Sequence, residues 1–269
     1  MKYGLLAHSP TLNLGDHVQS IAARRFLPRV DRIVERERLH ETADVGPIKV
    51  IMNGWWMHHP EHWPPPPNIV PLFVSFHVTT GPARAAMLAE RSLAYLKKHE
   101  PIGCRDTSTT RWLRGAGIDA YYSGCLTMTL PPRPRRSDGE VLFVEPSRQH
   151  FFGTLESLRR ETGWCPAEDL LGDRGQLRRS VGSETLARLA GMPPEWQAGA
   201  RRISAIVDKE TPDEFKFDRA EGILDLLSAA RIVVTSRLHA ILPAMAMGVP
   251  GLFVHKDEGP GIDPALADK

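Results

Sequence analysis

Short apolar runs recur along the chain, and several are followed by a longer stretch with helical spacing. The runs are Tyr3 to His8, Lys49 to Asn53, Ile69 to Val78, Ile102 to Cys104, Glu140 to Glu145, Ile232 to Val234 and Val249 to Val254. Runs without a polar face belong to strands covered on both sides, the habit of parallel sheets flanked by helices. The stretches between them supply the helices. Asp16 to Phe26 sets Val18, Ile21, Ala22 and Phe26 on one side. Pro82 to Lys98 begins with a proline suited to a first helical turn. Thr107 to Leu113 reads as a helix that Gly115 and Gly117 end. Phe217 to Ala230 carries the stripe Phe217, Ala220, Leu224 and Leu227, and Ala240 to Met247 is Ala/Met-rich. The fold class this alternation predicts is α/β with parallel sheets.

The alternation occurs twice, on either side of Pro131-Pro132-Arg133-Pro134-Arg135-Arg136-Ser137-Asp138-Gly139. So proline-rich and apolar-poor a segment reads as a hinge. The expectation is two Rossmann-like domains facing across a cleft: residues 1–130, a linker at 131–139, and residues 140–255. The Gly/Pro/Asp-rich stretch 256–269 reads as a flexible tail. Residues from about Phe151 to Lys209 mix helical periodicity with Gly and Pro breaks, and no chemistry is assigned to them.

Charge narrows the function classes. With 34 basic and 32 acidic residues the net charge is +2, so nothing global calls for a nucleic-acid partner. No run approaches the ~18 apolar residues of a membrane span. Met1 to Leu6 is too short an apolar run for a signal peptide and reads as a first strand. Cys104, Cys125 and Cys165 are odd in number and lack a CxxC pair. That spacing predicts free thiols in a reducing cytosol rather than a disulfide framework or a cysteine zinc site.

Chemistry-bearing residues fall at predicted strand ends. Thr235-Ser236-Arg237-Leu238-His239 joins a strand to a helix. Ligands of open α/β sheets bind outside the carboxyl ends of the strands, and a helix start favours anions. Arg237 and His239 at such a turn suit anion binding with proton transfer. A local ion pair for Arg237 and a helix-start role for His239 are the plainer alternatives. Asn13-Leu14-Gly15-Asp16 is the corresponding turn after the first strand, with Asp16 a helix N-cap, a proton acceptor, or both. His77 ends a strand, as a core histidine or a functional one. Arg105 is another charged fork at a strand-to-helix turn, and Asp106 after it suits an N-cap. After Asn53-Gly54 comes Trp55-Trp56-Met57-His58-His59-Pro60-Glu61-His62-Trp63, then four prolines. This 54–67 loop offers Trp55, Trp56 and Trp63 as an apolar platform for a sugar ring, or as packing of the loop against its own domain. HHxxH is not a helical i,i+4 pair and the prolines preclude a stable helix there, so no metal site is expected.

Taken together these pieces resemble the polysaccharide pyruvyl transferase family. The resemblance rests on Asn13-Leu14-Gly15-Asp16, Ser75-Phe76-His77, Gly103-Cys104-Arg105-Asp106 with Ser123-Gly124-Cys125-Leu126-Thr127, and Thr235 to His239 running on into Leu242-Pro243-Ala244 and Gly248-Val249-Pro250. It implies a two-domain fold similar to the GT-B glycosyltransferases. It also implies transfer of a pyruvate ketal (carboxyethylidene) group from phosphoenolpyruvate to the hydroxyls of a sugar, in a glycan or a lipid-linked saccharide, in the cytoplasm and with no cofactor. Residues 1–130 would then form the acceptor side and 140–255 the donor side. Arg237 and Arg105 would hold the donor anions, and His239 would protonate the enol methylene or stabilise the leaving phosphate. Asp16 would be the base for the attacking hydroxyl, with Asn13, Gly15, His77, Ser236 and Leu238 as further substrate contacts.

That chemistry suits the residue types. Ketal formation needs a protonated enol carbon and an oxocarbenium-like centre open to attack. Two guanidinium forks can grip carboxylate and phosphate bidentately, and an imidazole with a pKa near 6.5 can give a proton at neutral pH. Two rivals share the fold: a GT-B glycosyltransferase using a nucleotide sugar, and a degenerate glycan-binding protein. No carboxylate follows a Gly-rich turn in the second half to grip a ribose, which favours the compact, doubly charged donor.

Overall fold

The computed structural model describes residues 1–79, 81–134, 139–144, 201–208 and 210–253. The expected tail, part of the linker and most of the unassigned 151–209 stretch lie outside the described residues. The described chain forms two compact units. The described residues of one lie within Met1–Leu130 and Val207–Ala220, those of the other within Pro131–Ile206 and Glu221–Pro260.

The first unit is built on a six-stranded parallel sheet in the order β2-β1-β3-β4-β5-β6. Its strands are β1 (Lys2–Ala7), β2 (Arg32–Glu35), β3 (Ile48–Trp56), β4 (Ile69–Val78), β5 (Ile102–Cys104) and β6 (Ala120–Tyr122). Helices α1 (Leu14–Arg24), α2 (Pro82–Met87), α3 (Glu90–Lys98) and α4 (Thr107–Gly115) cross between them. The apolar runs form the central strands, as parallel pairing requires. Ile48, Val50 and Met52 of β3 and Phe73, Phe76 and Val78 of β4 are buried in one cluster with Leu96 and Leu113. Phe73 and Phe76 meet edge to face with ring centres 5.1 Å apart, and Trp56 and Trp63 do so at 5.5 Å. Pairs of this geometry add to the area they bury.

Two local expectations change. The single helix foreseen for Pro82 to Lys98 is two helices, because Ala89 turns extended (φ −60°, ψ 145°) between them. The Ser92 hydroxyl donates to the Ala86 carbonyl, which also accepts from the Ala89 N–H at 3.2 Å. In α1 the N-cap is Asn13, whose side chain accepts from the Gly15 N–H at 3.1 Å, rather than Asp16.

The second unit carries a four-stranded parallel sheet in the order β10-β9-β7-β8. These strands are β7 (Val141–Val144), β8 (Arg201–Ile203), β9 (Ile232–Thr235) and β10 (Gly251–Phe253). Helix α5 spans Asp213–Ala229, with the division between units falling after Ala220, and α6 spans Leu238–Ala246. Ala220, Leu224 and Leu227, three of the four stripe residues, are buried, and Phe217 is half-buried.

Candidate active site

Parallel strands point their carboxyl ends the same way, so the loops after β1, β3, β4 and β5 gather at one edge of the first unit's sheet. The strand order reverses direction between β1 and β3. Gly54 sits there at φ +83°, a conformation glycine adopts without strain. A side chain at Gly54 would point at His8 and the Gln19 amide, 3.6 and 3.7 Å away.

A hydrogen-bonded chain runs along this edge. The Arg105 guanidinium donates to Gln19 Oε1 at 2.8 Å. The Gln19 amide donates to Asp16 Oδ1 at 3.3 Å, and the Thr11 hydroxyl to Asp16 Oδ2 at 2.8 Å. Arg105 is only 9% exposed, and its own N–H is tied to the Phe76 carbonyl at 2.9 Å. Next to it the Asp106 side chain caps α4, accepting from the Thr109 N–H at 2.7 Å. The other Asp106 oxygen accepts from His77 Nδ1 at 2.5 Å and from the Thr109 hydroxyl at 3.0 Å. His77 and Asp106 are both buried. A neutral His77 that donates from Nδ1 keeps its lone pair on Nε2.

Ser75 is the strained joint of this edge, at φ +60° inside β4. Its hydroxyl donates to the Gly124 carbonyl at 2.5 Å and accepts from the Leu126 N–H at 2.7 Å. Its N–H donates to the Ser123 hydroxyl at 3.0 Å. The Ser123–Leu126 turn is thereby fastened to the strand that bears His77.

The electrostatics follow from burial. Desolvation lowers the Arg105 pKa from its ordinary value, and Arg36 nearby adds to this, while Cys125, Asp16 and Asp106 oppose it. A guanidinium still stays charged at any ordinary pH, so Arg105 is a buried cation. Burial pushes the Asp106 carboxyl up, but the His77 hydrogen bond and charge and the two Thr109 donors outweigh it. Asp106 is held below the usual carboxylate range. On the far side of α1, Asp213 is likewise lowered against its burial, by His17, Ser9 and Lys216.

The expected residues of the first unit thus meet at one edge: Asn13, Gly15, Asp16, Trp55, His77 and Arg105. Trp56 does not join them. It is fully buried, its indole N–H donates to the Asn53 carbonyl at 3.2 Å, and it offers no face to a sugar. Trp63 is buried as well, so the platform drawn from three tryptophans reduces to half-buried Trp55. In the second unit, Ser236, Arg237, Leu238 and His239 lie together at the start of α6, all half-buried. The Thr235 hydroxyl accepts from the Arg237 N–H at 2.9 Å and donates to the Val144 carbonyl at 2.6 Å. His239 departs from helical geometry at φ −84°, ψ 21°.

Sequence reasoning missed three parts of the edge. Gln19 is an interior helix residue, and nothing local marks it as the link between Arg105 and Asp16. Asp106 reads from the sequence as a cap, and nothing local marks it as the partner of His77. Arg36 lies in a charged stretch with no apolar pattern, yet it is 1% exposed. Among the described residues no three His, Cys, Asp or Glu side chains gather to hold a metal. No helix among them is long and apolar enough to cross a membrane.

Comparison with known proteins bears on what this edge does. The sequence profile of the polysaccharide pyruvyl transferase family matches residues 13–254. The chain belongs to that family. No curated protein matches it.

Proposed function

We propose, with that family membership as premise, that the protein transfers a pyruvate ketal group from phosphoenolpyruvate to two hydroxyls of a saccharide. A GT-B-like arrangement of two Rossmann-like units and a cytoplasmic location belong to the same reading, and the free, buried thiols Cys104 and Cys125 agree with a reducing compartment. The observation that carries the reading is Arg105, a buried guanidinium at the carboxyl edge of a parallel sheet, held in place through Gln19. A fixed fork in low dielectric grips a carboxylate or phosphate strongly, because its desolvation is already complete before the ligand arrives. In this reading Arg105 and Arg237 take the two anionic groups of the donor. His239 gives the enol methylene its proton, and Asp16 is the carboxylate on the acceptor side. Atoms balance: the trianion of phosphoenolpyruvate and a diol give the cyclic ketal carboxylate and hydrogen phosphate.

Thermal unfolding of the whole chain with phosphoenolpyruvate, and separately with a panel of nucleotide sugars, tests this. At a hundredfold excess over Kd the donor adds about 2.7 kcal/mol of stability, a shift of several degrees. Stabilisation by phosphoenolpyruvate that Arg237→Ala removes is the expected outcome. Stabilisation by a nucleotide sugar alone overturns the reading.

A further inference from the structure

We infer that His58 contacts the acceptor sugar and takes up the proton of its attacking hydroxyl. The inference rests on the proposed function and adds to it a residue outside the motifs that carry the family resemblance.

His58 follows β3 at the carboxyl edge, beside the β1–β3 reversal where ligands of open sheets bind. Its ring is exposed but its backbone is fixed. The Glu37 carboxylate accepts from the His58 N–H at 3.0 and 3.2 Å and from the His59 N–H at 2.9 Å. Glu37 is paired in turn with the buried Arg36 at 2.7 Å, and Arg36 donates to the Trp55 carbonyl at 2.8 Å. One buried ion pair therefore anchors both ends of Trp55–His58. The Trp55 ring stands 4.4 Å from the His58 ring, with its N–H on the Thr79 hydroxyl at 3.1 Å and the Arg36 guanidinium 5.1 Å from its centre. An aromatic face beside an imidazole is suited to a sugar, whose C–H faces stack while its hydroxyls hydrogen-bond.

Two polar groups next to this loop are left unsatisfied. Asn53, near the end of β3, is 1% exposed, and among the described residues neither atom of its amide has a partner. Arg36 Nη2 is buried and also lacks one. Buried polar groups normally find partners, and unpaired ones beside a sheet's ligand edge mark a site that a polar molecule completes.

The neighbours single out His58 as the acceptor of the proton. Both Asp16 oxygens already receive donors, from Thr11 and Gln19. His59 is engaged with Glu61 at 2.9 Å, and His62 Nδ1 with the Glu37 carbonyl at 2.7 Å. Among the described residues the His58 ring nitrogens hold no hydrogen bond. Partial burial, then Arg36, and more weakly His59 lower its pKa against the raising effects of Glu37 and Asp16, which favours the neutral ring able to accept a proton. As the hydroxyl oxygen bonds to the ketal carbon, its O–H pair stays on oxygen and the proton passes to the imidazole. Asp16 then faces an imidazolium it stabilises.

Phosphate release from phosphoenolpyruvate, followed across pH with methyl glycosides of glucose, galactose and mannose, reads the base. Saturation-transfer NMR with the same glycosides, without donor, reads the contact. His58→Gln should lower kcat about 10²-fold or more, leave KM for phosphoenolpyruvate within twofold, and abolish the acid limb of kcat/KM. Asp16→Asn should move that limb to lower pH, because it removes a charge that raises the His58 pKa. Wild-type turnover with an intact acid limb in His58→Gln overturns the inference. If no glycoside supports phosphate release, the proposed function fails instead. The contact is then judged by NMR alone: saturation transfer lost in His58→Ala supports it, and transfer that is unchanged or absent from the wild type overturns it.

Discussion

Two strand-to-helix turns carry Arg105 and Arg237, the arginines proposed to hold the donor, and they are built differently. After β5, Arg105 is 9% exposed, Asp106 caps α4 with its carboxylate, and the same carboxylate holds His77 at 2.5 Å. After β9, Arg237 occupies the cap position of α6 without a side-chain cap bond, and Ser236 to His239 are all half-buried. The first turn has paid its desolvation cost on folding and is locked by neighbours. In the second, the Thr235 hydroxyl holds the Arg237 N–H, and Arg237 and His239 lie closer to water. Substitutions at the first should therefore damage stability and ligand binding together, whereas those at the second should separate the two.

The largest effect is expected at Asp106. Asp106→Ala strips the acceptor from His77, the Thr109 N–H and the Thr109 hydroxyl, all buried. Breaking such a pair costs about 3–5 kcal/mol, which urea unfolding reads as a lower midpoint. The pH dependence has a definite sign. The native pKa of Asp106 lies below the unfolded value of ~3.9, so its contribution is present above that value and is lost as pH falls through the native pKa. The stability gap between wild type and Asp106→Asn should accordingly shrink below about pH 4. A gap that stays constant across acid pH would make Asp106 only a neutral cap.

Next in size is Arg105→Lys. An ammonium keeps the charge but not the fork, so the bond to Gln19 goes, and with it the tie between Gln19 and β5. Loss of a charged hydrogen bond costs about 1.5–3 kcal/mol, and donor binding should fall with it. Unchanged stability would mean that the buried fork is not part of the frame, and the contrast between the two turns would collapse.

The same contrast explains what could be read without coordinates. Central strands were legible because both faces are covered: Ile69–Val78 and Ile102–Cys104 appear with the very bounds their apolar runs suggest. The strands without an apolar run, β2, β6 and β8, lie at the edges of the sheets that the described residues form. Arg32-Ile33-Val34-Glu35 buries only Val34, and Tyr121 and Tyr122 are exposed, so neither run has an apolar signature. For the site, strand ends were legible and partners were not. Arg105, His77 and Asp16 stand out by residue type and place, but the Gln19 link joins residues 86 apart. Trp56 misled for a related reason. An aromatic pair at a strand end looks like a platform, yet alternation along β3 sends Trp56 into the core and leaves only Trp55 near the edge.

The second turn should yield the smallest changes. Thr235→Val keeps the shape of a fully buried side chain and removes both of its hydrogen bonds, to the Arg237 N–H and the Val144 carbonyl. The N–H belongs to a half-buried residue that water can reach, so the cost is that of losing a helix cap, about 1 kcal/mol. Arg237→Lys should do less still, staying within about 0.5 kcal/mol of wild type in urea, while phosphoenolpyruvate stabilises it less than it does the parent. Stability and donor binding would then separate at this turn, as they do not at Arg105. An Arg237→Lys protein destabilised as much as Arg105→Lys would show that the two turns are equally part of the frame, and that half-burial misstates how tightly Arg237 is held.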